Sequence, residues 1–138
     1  MRKFEKISFE QFKNDIKDDV NLYDFTLKPN EIIKIPTGIK ATMNSDEVLF
    51  IIVRSSMGFK YNVRLVNQVG VIDSDYYNNS DNEGHIFIKL HNQGNKDYIV
   101  KKGEKICQGI FTKYLTVDNE EKIEKERISG FGSTSKED

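Results

Sequence analysis

The sequence has a single cysteine and an almost balanced charge, and both features exclude classes of protein. Cys107 cannot close a disulfide within the chain or join a second cysteine in a zinc site, which is consistent with a reducing cytoplasm. Lys and Arg number 21 against 22 Asp and Glu, so we expect no basic face for sequence-independent nucleic-acid binding. A phosphate-bearing ligand would therefore need individually placed Arg, Lys and backbone N–H groups.

Long apolar runs and histidines are also scarce. No run approaches the length of a membrane span, and the charged N-terminus lacks the apolar core of a signal peptide. We therefore expect a cytoplasmic protein with no membrane or nucleic-acid partner. His85 and His91 are too few for a histidine-based metal site, and we interpret them as surface or interface residues.

Length and composition favour one folded domain with a separate tail. A chain of 138 residues suits a single domain, which we place at residues 1–117. With 37% hydrophobic and 31% charged residues its core would be thin, and association with other copies would deepen it. Residues 118–138 are predicted to form a flexible arm, because they are charged and then small and polar around Phe131. This composition fits either a lid over a planar base or a frayed end.

A helix is predicted only near the N-terminus. Ser8 and Gln11 form a capping-box pattern, in which Ser8 accepts from the Gln11 backbone and the Gln11 side chain reaches back. Apolar residues then recur at helical spacing, which predicts a short helix over residues 9–17.

The rest of the chain consists of short β-type runs separated by turn residues. Many short strands at roughly ten-residue spacing favour an all-β sandwich, jelly roll or barrel. The predicted strands cover residues 31–35, 39–43, 48–53, 61–67, 69–72, 84–90, 97–100 and 105–114.

Two of these strands carry further predictions. Residues 48–53 are all apolar, so this strand should be covered on both faces, in part by another subunit. Alternation along residues 105–114 places Gln108 on the same face as Ile106 and Ile110, which predicts a polar side chain among inward aliphatic ones.

Asp73 stands out among the carboxylates because it follows a glycine and two β-branched residues, Val71 and Ile72. If these residues end a strand, Asp73 lies where a rigid run gives way to a turn, at the edge of a cleft. The alternative is a polar hairpin tip, since Asp, Ser, Asn and Gly dominate turns, and turn statistics alone favour it.

Arg54, Ser55 and Ser56 directly follow the most apolar predicted strand. A guanidinium fork with neighbouring hydroxyls suits phosphate oxygens. Arg-Ser pairs are common, so the significance of this segment depends on the order of features along the chain.

That order resembles the trimeric dUTPases, the deoxyuridine triphosphate nucleotidohydrolases, over nearly the whole chain, in a phage-type or a Gram-positive bacterial form. That family has five short motifs, and the five matching segments are Tyr23-Asp24-Phe25, Arg54-Ser55-Ser56-Met57-Gly58, residues 67–76 with Gly70-Val71-Ile72-Asp73, Gly103-Glu104-Lys105-Ile106-Cys107-Gln108, and Arg127 with Gly130-Phe131-Gly132-Ser133-Thr134. The third and fifth motifs are the most specific.

The resemblance implies an all-β fold, a distorted jelly-roll or β-barrel subunit with a short N-terminal helix and a mobile C-terminal arm. It also implies a homotrimer whose active sites are shared between chains. The activity would be hydrolysis of dUTP to dUMP and pyrophosphate, which limits uracil incorporation into DNA. Mg²⁺ would be the cofactor, held mainly by substrate phosphates, with Asp24 near its bound waters.

The resemblance also assigns roles to residues. Asp73 would be the general base for water attack on the α-phosphorus. Asn67, Gly70 and Val71 would face uracil, and Tyr76 would stack on the sugar. Phosphate and lid contacts would come from Arg54, Ser55, Ser56, Gln108, Arg127, Phe131, Gly132, Ser133 and Thr134.

Two alternatives stay open. One alternative is a dCTP deaminase, which is similar in fold and also carries an Arg-Ser-Ser segment. In that enzyme a Glu positioned at the nucleobase transfers the proton. A dUTPase could also have an additional regulatory protein partner, with residues 78–83 as the docking surface, because this loop is longer than the common form. A tolerated insertion at a hairpin tip is the interpretation of that loop that we favour.

Overall fold

The computed structural model describes residues 1–16 and 24–118. Within these residues short antiparallel strands are joined by turns, and the two α-helices have seven residues each, too few to span a membrane. The elements are β1 (Lys3–Lys6), α1 (Phe9–Asp15), β2 (Phe25–Leu27), β3 (Ile32–Pro36), β4 (Ile39–Thr42), β5 (Glu47–Val53), α2 (Ser55–Tyr61), β6 (Val63–Leu65), β7 (Gly70–Asp73), a 3₁₀ turn (Ser74–Tyr76), β8 (Phe87–Asn92), β9 (Tyr98–Val100) and β10 (Cys107–Lys113).

The strands of the described residues pair in small antiparallel sheets around one apolar core. β10, β5 and β7 form one three-stranded sheet, β3, β8 and β6 form another, and β1–β4 and β2–β9 are two-stranded. Both larger sheets contribute fully buried side chains to the core, including Leu49 of β5 and Leu90 of β8. The prediction of an all-β fold is confirmed.

Helix α1 confirms half of the predicted capping box. The Ser8 hydroxyl oxygen accepts from the Gln11 backbone N–H at 3.3 Å. The Gln11 side chain does not return to Ser8 but donates to Asp15 at 3.0 Å. Ser8 N–H instead donates to the Glu83 carboxylate at 3.0 Å, so a residue distant in sequence completes the cap.

Helix α2 was not predicted, and it corrects the strand proposed for residues 61–67. The helix begins after Arg54 and ends at Asn62, which has a left-handed φ of 56° and donates its N–H to the Gly58 carbonyl. Asn tolerates this conformation better than most residues, so it reverses the chain and delays the strand to Val63. β1 and β2 were also missed, because both are short runs that mix apolar and polar residues.

The sheet β10–β5–β7 is covered on its core face but not on its outer face. Leu49 and Ile51 of β5 point into the core, whereas Phe50 and Ile52 are only partly buried. Their outer-face neighbours on β7 and β10 are open to solvent, with Val71 56% and Ile110 47% exposed. A single chain therefore leaves one face of the apolar strand uncovered.

The prediction that Gln108 points inward is wrong. Gln108 pairs with Ile52 on the outer face and is exposed, while Cys107 and Phe111 pack against the core. Gly109 between them lets the strand approach Leu49, because a Cβ there would lie 3.0 Å from a Leu49 methyl carbon. The alternation was right in period and wrong in which face is buried.

Candidate active site

A pocket of about 760 Å³ is bounded by the β6–β7 segment, residues 63–73, and by β8. The β6–β7 segment supplies residues 65–67 and 70–73, and β8 with its approach supplies residues 86–89. Other lining residues are Asn14, Asp15, Lys34, Ile51, Tyr76, Asp81 and Asn82. The pocket thus brings together the predicted site residues Asn67, Gly70, Val71, Asp73 and Tyr76.

Asp73 lies where a strand ends, as the sequence predicted. It is the last residue of β7, pairs with Val48 of β5 and precedes the 3₁₀ turn. The side chain is half-buried in the pocket wall. Strand pairing on one side and the turn on the other hold the backbone of this carboxylate, which suits a group that must orient a water molecule.

The turn in the β6–β7 segment is held by its own backbone. Gln68 has a left-handed φ of 67° and donates its N–H to Leu65 at 2.9 Å, and Val69 N–H donates to Asn67 at 2.7 Å. At Gly70 a Cβ would lie 3.3 Å from the Cβ of Ile51, closer than most real contacts. A glycine therefore allows β7 to approach β5 at the start of the predicted Gly-Val-Ile-Asp segment.

Tyr76 is buried at the side of the pocket, with 8% of its surface exposed. Its phenol O–H donates to the His85 carbonyl at 2.8 Å, and the Asn82 amide donates to the phenol oxygen at 2.8 Å. The ring is therefore fixed at its outer end by residues 82 and 85.

Residues 78–83 form a structured loop. Asn79 is buried and donates to the Tyr76 carbonyl at 2.7 Å and to the Asn82 side chain at 2.8 Å. Its side-chain oxygen accepts from the backbone N–H groups of residues 81 and 82. Gly84 closes the loop with a φ of 88°, where a Cβ would lie 2.8 Å from the Tyr76 carbonyl oxygen. The loop is thus built against Tyr76.

Glu83 ties this loop to the N-terminal segment. Its carboxylate accepts from the Ser8 hydroxyl at 2.6 Å and from the Lys40 ammonium at 2.9 Å. Burial by itself would raise the pKa of Glu83, but the bonds from Ser8 and Lys40 outweigh it and lower the pKa to about 2. Lys40 also donates to Asn78 at 2.6 Å, so one ammonium joins β4 to both ends of the loop.

The interpretation of His85 as a surface residue is wrong, because its side chain is fully buried. Its Nδ1 lies 2.6 Å from Asp15, and its Nε2 accepts from the Gly38 backbone N–H at 2.9 Å. Because Nε2 is an acceptor, the hydrogen belongs on Nδ1, which donates to Asp15. His85 therefore connects α1, the turn before β4 and, through its carbonyl, Tyr76.

The predicted phosphate contacts lie away from this pocket. Arg54 follows β5, where its backbone N–H donates to Ile106 at 3.2 Å and its guanidinium donates to the Lys105 carbonyl at 3.1 Å. Ser55, Ser56 and Gln108 are exposed at the same end of the strand. Asp73 pairs with Val48, and Arg54 lies six positions beyond Val48 along β5. At the rise of a β-strand, the backbones of Arg54 and Asp73 in one chain are about 20 Å apart.

Asp24 is exposed and accepts from the Lys102 backbone N–H at 2.7 Å. Among residues 1–16 and 24–118 there is no group of three or more His, Cys, Asp or Glu side chains that could hold a metal ion by itself. Mg²⁺ is commonly held by one or two carboxylates together with substrate phosphates and waters. A single exposed carboxylate such as Asp24 fits that mode and does not fit an all-protein cage.

Several predicted residues lie outside the described part of the chain. This applies to Tyr23 of the first segment and to the whole fifth segment. The fifth-segment residues are Arg127, Phe131, Gly132, Ser133 and Thr134.

Part of the pocket wall comes from residues without a recognisable sequence motif. Asn14 and Asp15 at the end of α1, and Asp81 and Asn82 in the loop, all line the pocket. Asn-rich segments are usually interpreted as turns, and the bonds that bring Asp15 and His85 together span 70 residues. The one local signal was the unusual density of Asn between residues 78 and 82.

Comparison with known proteins gives the same family by sequence and by structure. A family model described as dUTPase matches residues 18–135. The deoxyuridine 5′-triphosphate nucleotidohydrolase of Lactococcus lactis subsp. lactis is 50% identical over 107 residues, which are 77% of this chain and 71% of that protein. The same enzyme of Clostridium novyi is 34% identical over 133 residues, covering 93% of this chain and 89% of that protein.

Solved structures agree with the sequence comparisons. A dUTPase from Streptococcus mutans superposes with a TM-score of 0.65 at 37% identity, covering 83% of this chain and 98% of that one. A mutant dUTPase from phage phi11 of S. aureus, described as coordinating a structural Mg(II) ion, has a TM-score of 0.62 at 14% identity, covering 91% and 97%. At that identity the second likeness shows the fold alone.

Proposed function

The chain belongs to the dUTPase family and hydrolyses dUTP, and from that premise we propose that Asp73 is the general base of the reaction. One observation carries this assignment: the β6–β7 segment that supplies Asn67, Gly70 and Val71 to the pocket ends on Asp73. The proposed base and the proposed nucleoside wall are therefore parts of one short stretch of chain. The products are dUMP and pyrophosphate.

In the proposed mechanism the Asp73 carboxylate accepts a proton from a water molecule as that water attacks the α-phosphorus in line. The electron pair of the broken bond moves to the oxygen of the leaving pyrophosphate. Positioning and electrostatics carry most of a phosphoryl-transfer reaction, and one well-placed base contributes on the order of 10²–10⁴ in rate. Mg²⁺ is the proposed cofactor, and it would neutralise charge on the triphosphate.

Specificity is proposed to reside in the same pocket. Backbone N–H and C=O groups of the β6–β7 segment would meet the uracil edge, so that cytosine, whose hydrogen-bonding group at position 4 is a donor and not an acceptor, leaves them unpaired. Tyr76 would stand against the sugar and exclude a 2′-hydroxyl, and the tight turn of that segment would exclude a 5-methyl group. The buried, doubly bonded position of Tyr76 supports this role.

We also propose that the active site is completed by other copies of the chain in a homotrimer. Two observations support this. The outer face of β10–β5–β7 is apolar and open, and Arg54 lies about 20 Å along β5 from the position that pairs with Asp73. Arg54, Ser55, Ser56 and Gln108 of a second chain would bind phosphates.

The C-terminal arm, residues 118–138, is proposed to close over the bound nucleotide. Phe131 and Gly132 would cover the base, while Arg127, Ser133 and Thr134 would meet the phosphates. The protein is proposed to act in the cytoplasm. No observation within residues 1–16 and 24–118 favours a regulatory protein partner at residues 78–83, where Asn79, Asn82 and Glu83 bond within the chain.

The assignment of Asp73 is tested by Asp73→Asn, with Asp75→Asn as the matched control. Asp75 undergoes the same chemical change two residues away and is exposed, outside the pocket wall. We expect Asp73→Asn to lower kcat on the order of 10²–10⁴ with a much smaller change in dUTP affinity, and Asp75→Asn to keep most of the activity. Near-normal kcat in Asp73→Asn would overturn the assignment.

A further inference from the structure

The phenol of Tyr76 is held at two points by one short stretch of chain. It donates to the His85 carbonyl and accepts from the Asn82 amide, each at 2.8 Å. The donor to Tyr76 is Asn82 of the loop, whereas the acceptor is the carbonyl of His85, two residues beyond the loop. The angle of the ring in the pocket therefore depends on where residues 82–85 lie.

The direction of the Asn82 amide is fixed by its other contacts. Its side-chain oxygen accepts from the Asn79 amide at 2.8 Å and from the Gly84 backbone N–H at 3.0 Å. A flipped amide would place its nitrogen against both of these donors, so the nitrogen must face Tyr76. Because that nitrogen is a donor only, the phenol must accept from it and donate to His85.

Asn82 itself is held firmly enough to orient another residue. Its side chain is half-buried and lines the pocket, and its backbone carbonyl accepts from His85 N–H at 3.0 Å. Asn79, which orients Asn82, is buried and bonded to the Tyr76 carbonyl. The loop thus fixes Tyr76 at its backbone and at its hydroxyl.

We propose that Asn82 is a positioning residue for sugar discrimination, acting through the Tyr76 ring. The inference rests on the proposed function, in which this ring faces C2′ of the bound sugar. A wall excludes an extra hydroxyl only as far as it resists displacement, because a ring that can tilt makes room for it. Asn82 restricts that freedom through its hydrogen bond to the phenol oxygen.

The test compares kcat/KM for dUTP and for UTP by pyrophosphate release in the wild type, Asn82→Ala and Ser80→Ala. Ser80 is the matched control, since it is exposed in the same loop. We expect Asn82→Ala to lower the dUTP-to-UTP ratio by about two- to tenfold, the range of one net hydrogen bond. Ser80→Ala should leave the ratio unchanged. Should Asn82→Ala fail to fold, Asn82→Ser keeps a hydroxyl acceptor for the Gly84 N–H and is too short to reach the phenol, with the same expected fall.

A double-mutant cycle separates positioning from a general structural role. In Tyr76→Phe the hydroxyl that Asn82 holds is absent, so adding Asn82→Ala should change the ratio by much less than it does alone. An unchanged ratio in the folded Asn82 variant, or an equal fall in the Tyr76→Phe background, would overturn the proposal. Wild-type protein that fails to hydrolyse dUTP would instead refute the proposed function, so the two failures are distinguishable.

Discussion

In one chain Asp73 pairs with the start of β5 and Arg54 follows its end, so we infer that an active site that uses both takes them from two chains. We therefore predict that two inactive variants, Asp73→Asn and Arg54→Ala, restore activity when they are assembled together. In one chain the two residues are about 20 Å apart, counted over the six positions from Val48 to Arg54. That distance exceeds the reach of a single general base and of a guanidinium to one α-phosphate.

The expected magnitude follows from cyclic symmetry. In a trimer that contains both variants, one junction of the three joins an intact Asp73 to an intact Arg54 on the neighbouring chain. Each mixed trimer should therefore show about one third of wild-type kcat, whichever variant is in the majority. A site built within one chain would have no competent copy in any mixed trimer.

The assay uses co-expression of the two variants with different affinity tags. Sequential purification on both tags yields only mixed assemblies, and their mass in solution gives the oligomeric state. Pyrophosphate release from dUTP is then measured per trimer, with doubly tagged Asp73→Asn assemblies as the control. Mixed trimers as inactive as that control, or a protein that is monomeric in solution, would refute the shared site.

The remaining predictions concern Glu83. Its pKa of about 2 in the folded chain lies below the ordinary 4.5, so its contribution to stability is complete above pH 4.5 and is lost as pH falls towards 2. Discounted for solvent screening, the shift corresponds to about 1–3 kcal/mol of unfolding free energy, and urea unfolding at pH 6 and pH 3 measures most of its loss. In Glu83→Gln this part of the acid dependence should be missing, whereas Glu10→Gln, at an exposed position of α1, should keep it; equal acid sensitivity in both variants would contradict the role assigned to Glu83.

The sequence was sufficient where a feature is local. The Gly-Val-Ile run before Asp73 predicted a strand that ends at a carboxylate, and the strand does end there. The Ser8 cap was also predictable, because its partner Gln11 is three residues away.

Features that depend on distant partners could not be predicted. Alternation gives the period of β10, but which face is buried depends on how closely Gly109 approaches Leu49, and the choice for Gln108 was wrong. The burial of His85 depends on Asp15 and Gly38, which are 70 and 47 residues away. The loop at residues 78–83 has turn composition, so its role in holding Tyr76 was visible only in three dimensions.

Pyrophosphate release by the wild-type protein with dUTP, dCTP, dTTP and UTP, each with Mg²⁺, tests the central claim most directly. The pocket built on Asp73 and Tyr76 predicts efficient hydrolysis of dUTP and poor hydrolysis of the other three. A kcat/KM for dCTP, dTTP or UTP comparable with that for dUTP would contradict it, as would release of ammonia from dCTP.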